Sequence, residues 1–217
     1  REERFRRMKK MEILEQDVSL SPRNNNIPEW DSLSDHDKVE WDRKMAVYAA
    51  QISIMDKGIG RIMDLLRDRG MLDNTLVMFL SDNGGSAERI KPADPDAPIG
   101  SRNYWGSYGA WASLSNTPFR LFKHYVHEGG IRSPFIVNWP RGINSGNNRI
   151  LRSPCHVIDI MPTCLEVANA EYPSEFKGKA ILPTPGKSMI PYFNGKVENL
   201  HDSLYWEHEG NRALLEG

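Results

Sequence analysis

The sequence predicts an α/β protein, a mainly parallel sheet sandwiched by helices. Three observations carry that reading. "LVMFL" at 76–80 and "PFIVNW" at 134–139 are apolar runs without alternation, the pattern of strands buried on both faces. A long stretch after residue 34 repeats apolar residues at helical spacing. Helix, strand, loop and strand then follow in an order that suits stacked layers.

The opening "REERFRRMKK" holds six basic residues among ten, interleaved with Glu2 and Glu3. It reads as a solvated, partly helical segment rather than a nucleic-acid patch. "SLSPRNNNIPEW" at 19–30 has two prolines, three asparagines and no period, so it is loop. The long helix begins at Ser34, where Asp37 three positions on resembles a capping box. Met45, Tyr48, Ile52, Met55, Ile59, Ile62 and Leu66 then fall on one face. Arg67 and Arg69 suit the negative end of the helix dipole, and Gly70 is a natural stop. "TLVMFLS" follows after a short turn. Between Gly85 and Pro118 no period is visible, yet Tyr104, Trp105, Tyr108 and Trp111 supply area to pack. That segment is expected to be ordered, either as a pocket rim whose Trp105 or Trp111 stacks on a ligand ring or as a loop anchored by its indoles. "PFIVNW" is the second strand. "DIMPTCLEVAN" is a second helix, with Asp159 as N-cap and Pro162 in the first turn. No internal repeat occurs.

The 217 residues carry 28 Lys and Arg against 29 Asp and Glu, a formal charge of −1. Such balance argues against a nucleic-acid partner gathered by bulk electrostatics. No apolar run approaches the roughly 20 residues of a membrane-spanning helix. Cys155 and Cys164 form no CxxC motif and say little about redox compartment. The chain opens on Arg1, so no leader can be read.

Chemistry concentrates at "SDNGG". In open α/β sheets ligands sit beyond the carboxyl ends of strands, where Asp82 and Asn83 fall. Two adjacent oxygen donors followed by Gly84 and Gly85 suit a hard cation around which the chain curls closely. An Asx turn closing the strand explains the same four residues.

"DNTLVMFLSDNGG", "SNTPFRLFKHYVHEGGIRSPFIV", "HVIDIMPTCLEVA" and "LYWEHEGNRA" together resemble the sulfatase family, in particular bacterial arylsulfatases of the alkaline-phosphatase-like superfamily. The resemblance spans essentially the whole chain. It implies the alkaline-phosphatase-like fold, with residues 1–200 the C-terminal portion of the α/β domain and 201–217 the start of a small C-terminal subdomain. It implies one calcium ion held in part by Asp82 and Asn83, with Asn83 favouring calcium and sulfate over zinc and phosphate. Lys123 matches the family lysine that touches a sulfate oxygen and the leaving-group oxygen. Glu128, Gly129 and Gly130 read as a turn into the next strand; roles for His124, His127 and His208 stay open between pocket and packing.

Family members attack sulfur with a formylglycine made in a C/S-x-P-x-R motif. This chain has none; "NTPFR" at 116–120 places Asn116 where the nucleophile would stand. The chain therefore reads as a piece of a sulfuric-ester hydrolase, inactive alone, whose substrate is an aryl sulfate or a sulfated glycan. The resemblance also implies a periplasmic or secreted location. Alternatives are a phosphodiesterase or phosphonate hydrolase on the same fold, or a non-catalytic binding protein that kept the scaffold.

Overall fold

The computed structural model describes residues 1–88, 97–98, 109–144 and 149–216. Trp105, Tyr104 and Tyr108 lie outside the described residues, and with them much of the expected pocket rim.

Helix α1 spans Glu2–Lys10, with Glu2 and Glu3 in its first turn and Arg7, Lys9 and Lys10 in its last, as the dipole favours. Helix α2 runs Asp35–Asp68. Ser34 caps it: its Oγ accepts from the Asp37 amide at 3.1 Å and donates to Asp37 Oδ2 at 2.7 Å. Its other end closes as a Schellman motif. The Gly70 amide donates to Arg67 and the Met71 amide to Leu66, with Gly70 at φ +65°. Strand β1 is Val77–Leu80, α3 is Gly109–Ser115, α4 is Glu128–Ile131 and β2 is Phe135–Asn138. Then come α5 (Ile160–Val167), β3 (Glu175–Phe176), β4 (Lys179–Ala180), α6 (Ile190–Phe193), β5 (Ser203–His208) and β6 (Asn211–Glu216).

The expected parallel sheet sandwiched by helices, and with it the alkaline-phosphatase-like architecture, is not what the described residues form. Their sheets are three two-stranded pairs: β1 with β2, β3 with β4, and β5 with β6. The β3–β4 pair is antiparallel, with Glu175 opposite Ala180. The two apolar runs do find each other, but neither is covered on both faces. Phe79 of β1 is 37% exposed and Ile136 of β2 is 60% exposed. Helix α2 likewise buries none of its residues. The physical reason is that an apolar run records a demand for burial without naming what supplies it. Two short runs cannot make a multi-stranded sheet. Glu128, Gly129 and Gly130 also form one turn of helix, α4, rather than a plain turn.

The chain divides into two compact units. One comprises Arg1–Leu72, Met78–Ile136 and Glu207–Arg212; the other comprises Asp73–Val77, Val137–Trp206 and Ala213–Gly217. In the first, Trp111 meets Trp30 at 6.1 Å between ring centroids and Trp41 at 6.5 Å, beside buried Ala112, Ser113 and Thr117. Aromatic pairs at this spacing add about 0.5–1.5 kcal/mol beyond the area they bury. Trp111 is thus an anchor of its unit. In the second, Met189, Tyr192, Phe193, Leu200 and Leu204 make the apolar core, with Asp159 and Thr163 fully buried among the polar residues. Asp159 stands at the N-cap of α5 as its position predicts, but its side chain does not cap that helix. The carboxylate turns back to the His156 amide instead, closing a capping box around the short 3₁₀ turn Val157–Asp159.

Candidate active-site loops

Gly84, after β1, exists for close packing. The Gly84 amide donates to Gly130 O at 2.8 Å, and a Cβ on Gly84 would lie 1.7 Å from Gly129 O. A Cβ on Gly129 would lie 2.2 Å from Leu121 O, and one on Gly130 1.9 Å from Tyr125 O. Real Cβ atoms do not approach backbone oxygens that closely, so only glycine fits at these three positions. Gly84 thus lets one loop lie on another.

Side chains finish the join. Asn116 Oδ1 accepts from the Gly85 amide at 2.9 Å while its Nδ2 donates to Leu121 O at 3.1 Å. The Lys123 amide donates to Gly85 O at 3.0 Å, and the Gly129 amide to Arg120 O at 2.9 Å. Asn116 is therefore a strut between two loops, which explains an amide there better than a degenerate nucleophile does. "SDNGG" and "SNTPFRLFKHYVHEGG", separated in the chain, become one body held mostly by backbone hydrogen bonds.

This frame presents the predicted site residues to solvent. Asp82 is exposed and has no hydrogen bond or ion pair among the described residues. Asn83 spends its Nδ2 on Gly84 O at 2.9 Å, which leaves its Oδ1 as the ligand-type atom. The Lys123 side chain is 37% exposed, with Nζ 3.0 Å from Glu88 Oε2. No hydrogen bond or ion pair links Asp82, Asn83 and Lys123 among the described residues. The Lys123 ammonium, by hydrogen bond and charge, holds the Glu88 carboxyl below the usual carboxylate range. Nothing in the spacing of Glu88 distinguishes it, in sequence, from any loop acid.

The histidines separate clearly. His127 precedes α4 and is exposed, with no side-chain cap; its carbonyl accepts from the Gly130 and Ile131 amides. His124 and His208 meet edge to face at 5.1 Å between ring centroids. Glu209 joins them, its Oε2 3.3 Å from His124 Nε2. One donor atom from each of His124, His208 and Glu209 lies within 4.8 Å of the others, a potential metal-coordinating cluster. This corrects the expectation of calcium. The grouping with ligand spacing among the described residues offers two imidazole nitrogens and one carboxylate, whereas calcium takes oxygen ligands, about 6–8 of them. Asp82 and Asn83 bring two oxygens and do not belong to that cluster.

A solved Bacteroides thetaiotaomicron structure, described with the metabolism of multiple glycosaminoglycans, is similar at a TM-score of 0.53 and 23% identity over 75% of this chain and 30% of that one. At that identity the likeness concerns fold alone. The family profile described as "Sulfatase" matches residues 12–170, and the chain belongs to the sulfatase family. It is 34% identical to an uncharacterised sulfatase of Schizosaccharomyces pombe over 100% of this chain and 42% of that protein. It is 32% identical to an arylsulfatase of Klebsiella aerogenes over 86% of this chain and 42% of that one. A mouse steryl-sulfatase is 32% identical over 73% of this chain. The chain thus spans less than half the length of these relatives. No helix of the described residues is long and apolar enough to cross a membrane.

Proposed function

We propose that this chain supplies the sulfate-binding and leaving-group side of a sulfuric-ester hydrolase acting on aryl sulfates or sulfated glycans. The observation that carries the reading is the interlocked pair of glycine loops, which fixes the backbone of Lys123 while leaving its side chain 37% exposed. A cation so placed is preorganised, and preorganised charge is what a departing oxygen needs as the S–O bond breaks. Glu88 is an exposed partner, so an incoming sulfate oxygen can replace it on Nζ. Asp82 and Asn83 Oδ1 are assigned to a divalent cation that steadies the sulfate, with further ligands from outside this chain.

A formylglycine would supply the attacking oxygen in such an enzyme; the C/S-x-P-x-R motif it requires does not occur in this sequence. The proposal includes residues 201–217 as the start of a small further subdomain and a periplasmic or secreted location.

The test is Lys123→Ala in an enzyme that contains this chain. A neutral ester oxygen attracts a cation weakly, so the contribution of Lys123 belongs to the transition state. We expect kcat to fall roughly a hundredfold or more. The loss should shrink for sulfates of acidic phenols, whose oxygen needs less help. An equal loss for every leaving group makes Lys123 a sulfate contact only, and unchanged turnover on sulfate esters removes it from the site. Higher turnover on phosphate diesters or phosphonates than on sulfates would transfer the chain to those reactions.

A further inference from the structure

The cluster of His124, His208 and Glu209 lies outside the Asp82, Asn83 and Lys123 set. We propose that it is a binding site for a borderline divalent transition ion of the zinc class, tying the β5–β6 turn to the segment that follows Lys123. The donor set comes first. Two neutral imidazoles and a carboxylate suit zinc better than a hard cation, and three protein donors leave a fourth position for water. Tetrahedral zinc at bond lengths of about 2.0–2.2 Å sets its ligands about 3.3–3.5 Å apart. His124 Nε2 and Glu209 Oε2 already stand 3.3 Å apart. The widest separation permitted within the trio, 4.8 Å, closes by small rotations of exposed side chains.

The backbone beneath these donors is the second observation. β5 ends at His208 and β6 begins at Asn211, so the hairpin loop is Glu209–Gly210. Both residues have positive φ, +51° and +80°, the geometry of a type I′ turn. Asn, Asp or Gly is the usual first residue of such a turn, and glutamate there is uncommon. His124 is likewise held at φ +91°. Two of three converging donors therefore occupy backbone that their side chains disfavour. Such outliers gather at ligand clamps, where the side chain is needed more than local comfort. The surroundings hold the donors in place. The Gly210 amide donates to Glu207 Oε1 at 2.8 Å, Asn211 Nδ2 donates to His208 O at 3.2 Å, and the Lys123 amide anchors the residue before His124. A simple ion pair of protonated His124 with Glu209 would account for one contact, but not for the edge-on approach of His208.

The test is zinc titration of the 217-residue chain at neutral pH, by calorimetry and by thermal shift. Parallel titrations use His208→Ala, Glu209→Gly and, as a control elsewhere, His36→Ala. Glu209→Gly is the informative variant, because glycine improves the turn while removing the ligand. We expect one zinc ion per wild-type chain, a thermal shift that His36→Ala keeps, and affinity at least about tenfold weaker in His208→Ala and Glu209→Gly. Loss of a group that merely orients a ligand already costs about 10–100-fold. Cobalt in place of zinc should give the intense visible bands of a tetrahedral ion, absent in both ligand variants. Calcium should not compete. No zinc binding by wild type, or equal affinity in wild type and Glu209→Gly, overturns the proposal. The site stands apart from the sulfate reading, since Lys123→Ala should leave zinc affinity unchanged.

Discussion

Asp159 and Asp82 are both acids next to segments that match one family, and the molecule treats them in opposite ways. Asp159 is 0% exposed and saturated. Its Oδ2 accepts from the His156 amide at 2.7 Å and its Oδ1 from the Lys187 amide at 2.9 Å, while His201 Nε2 lies 2.8 and 3.0 Å from the two oxygens. Thr163 extends the network, donating to Asp159 O at 2.6 Å and accepting from the Met189 amide at 2.9 Å. Gly186 makes room, since a Cβ there would lie 2.2 Å from Ile158 O. Asp82 stands in solvent on a loop whose backbone alone is fastened. A fully buried carboxylate with both oxygens engaged by fixed donors is closed to solvent ligands, and its energy goes into the fold. An exposed carboxylate on a rigid backbone does little for stability and remains free to coordinate. The same contrast divides the two cysteines. Burial, then the charge of Asp159, pushes the Cys155 thiol up to about 12, so it is inert beside the exposed Cys164.

The largest effect that would sharpen this contrast is Asp159→Ala. It leaves the His156 and Lys187 amides and His201 without their acceptor, and should cost about 3–5 kcal/mol of stability, read from the urea midpoint. Asp82→Ala, measured alongside, should lie within about 0.5 kcal/mol of wild type. If the two are equal, the distinction between structural and chemical acid fails.

Next in size comes Gly84→Ala. The added carbon must displace a backbone oxygen, so destabilisation should reach the upper end of the roughly 1–3 kcal/mol seen for overpacking. Gly58→Ala in α2, where nothing lies within 4 Å, should instead stabilise by about 0.5–1 kcal/mol. Equal tolerance at both positions would break the claim that the two interlocked loops are glycine-locked.

A pH titration probes the buried side more gently. Burial depresses the folded-state pKa of His156 below its ordinary 6.5, and its Nδ1 accepts from the Ile158 amide at 3.3 Å. With the folded value below the unfolded one, the unfolded chain binds the proton first. The contribution of His156 is therefore fully present above about 6.5 and is lost as pH falls through its folded value. His156→Gln, which cannot titrate, should flatten that part of the stability curve. An unchanged curve would mean that acid lability arises elsewhere.

A small stability change, like that of Asp82→Ala, is expected of Lys123→Ala. Its ion pair with Glu88 is exposed, and such pairs contribute about 0–1 kcal/mol. Thermal midpoints should barely move even where turnover collapses. A large loss of stability would place Lys123 with Asp159 among the structural residues.

Much of this was legible in the chain. Helix α2 was bounded correctly at Ser34 and Gly70 because caps are local: a hydroxyl reaches an amide three residues away, and a left-handed stop needs only one glycine. That β1 and β2 are strands followed from their apolar runs. The wide parallel sheet did not follow, because the number of strands depends on partners that a single run cannot name. Among the residues proposed for the site, Lys123, Asp82 and Asn83 were visible through family motifs, while Glu88 and Glu209 carried no signal of their own. Lys123 is remote from Glu88, and His124 from Glu209, and a contact between distant loops leaves no period to read.

By itself, then, the sequence determined the family, the local helix and strand tendencies, and which residue types stand at the motif positions. These follow from short-range sterics, hydrogen bonding and motif identity, all contained within a few neighbouring residues. Tertiary structure alone decided that Gly84 packs against Gly129, that Asp159 is buried against His201 and Lys187, and that His124 meets His208 and Glu209. Each is a meeting of segments far apart in the chain, set by which backbone surfaces can approach without a side chain between them.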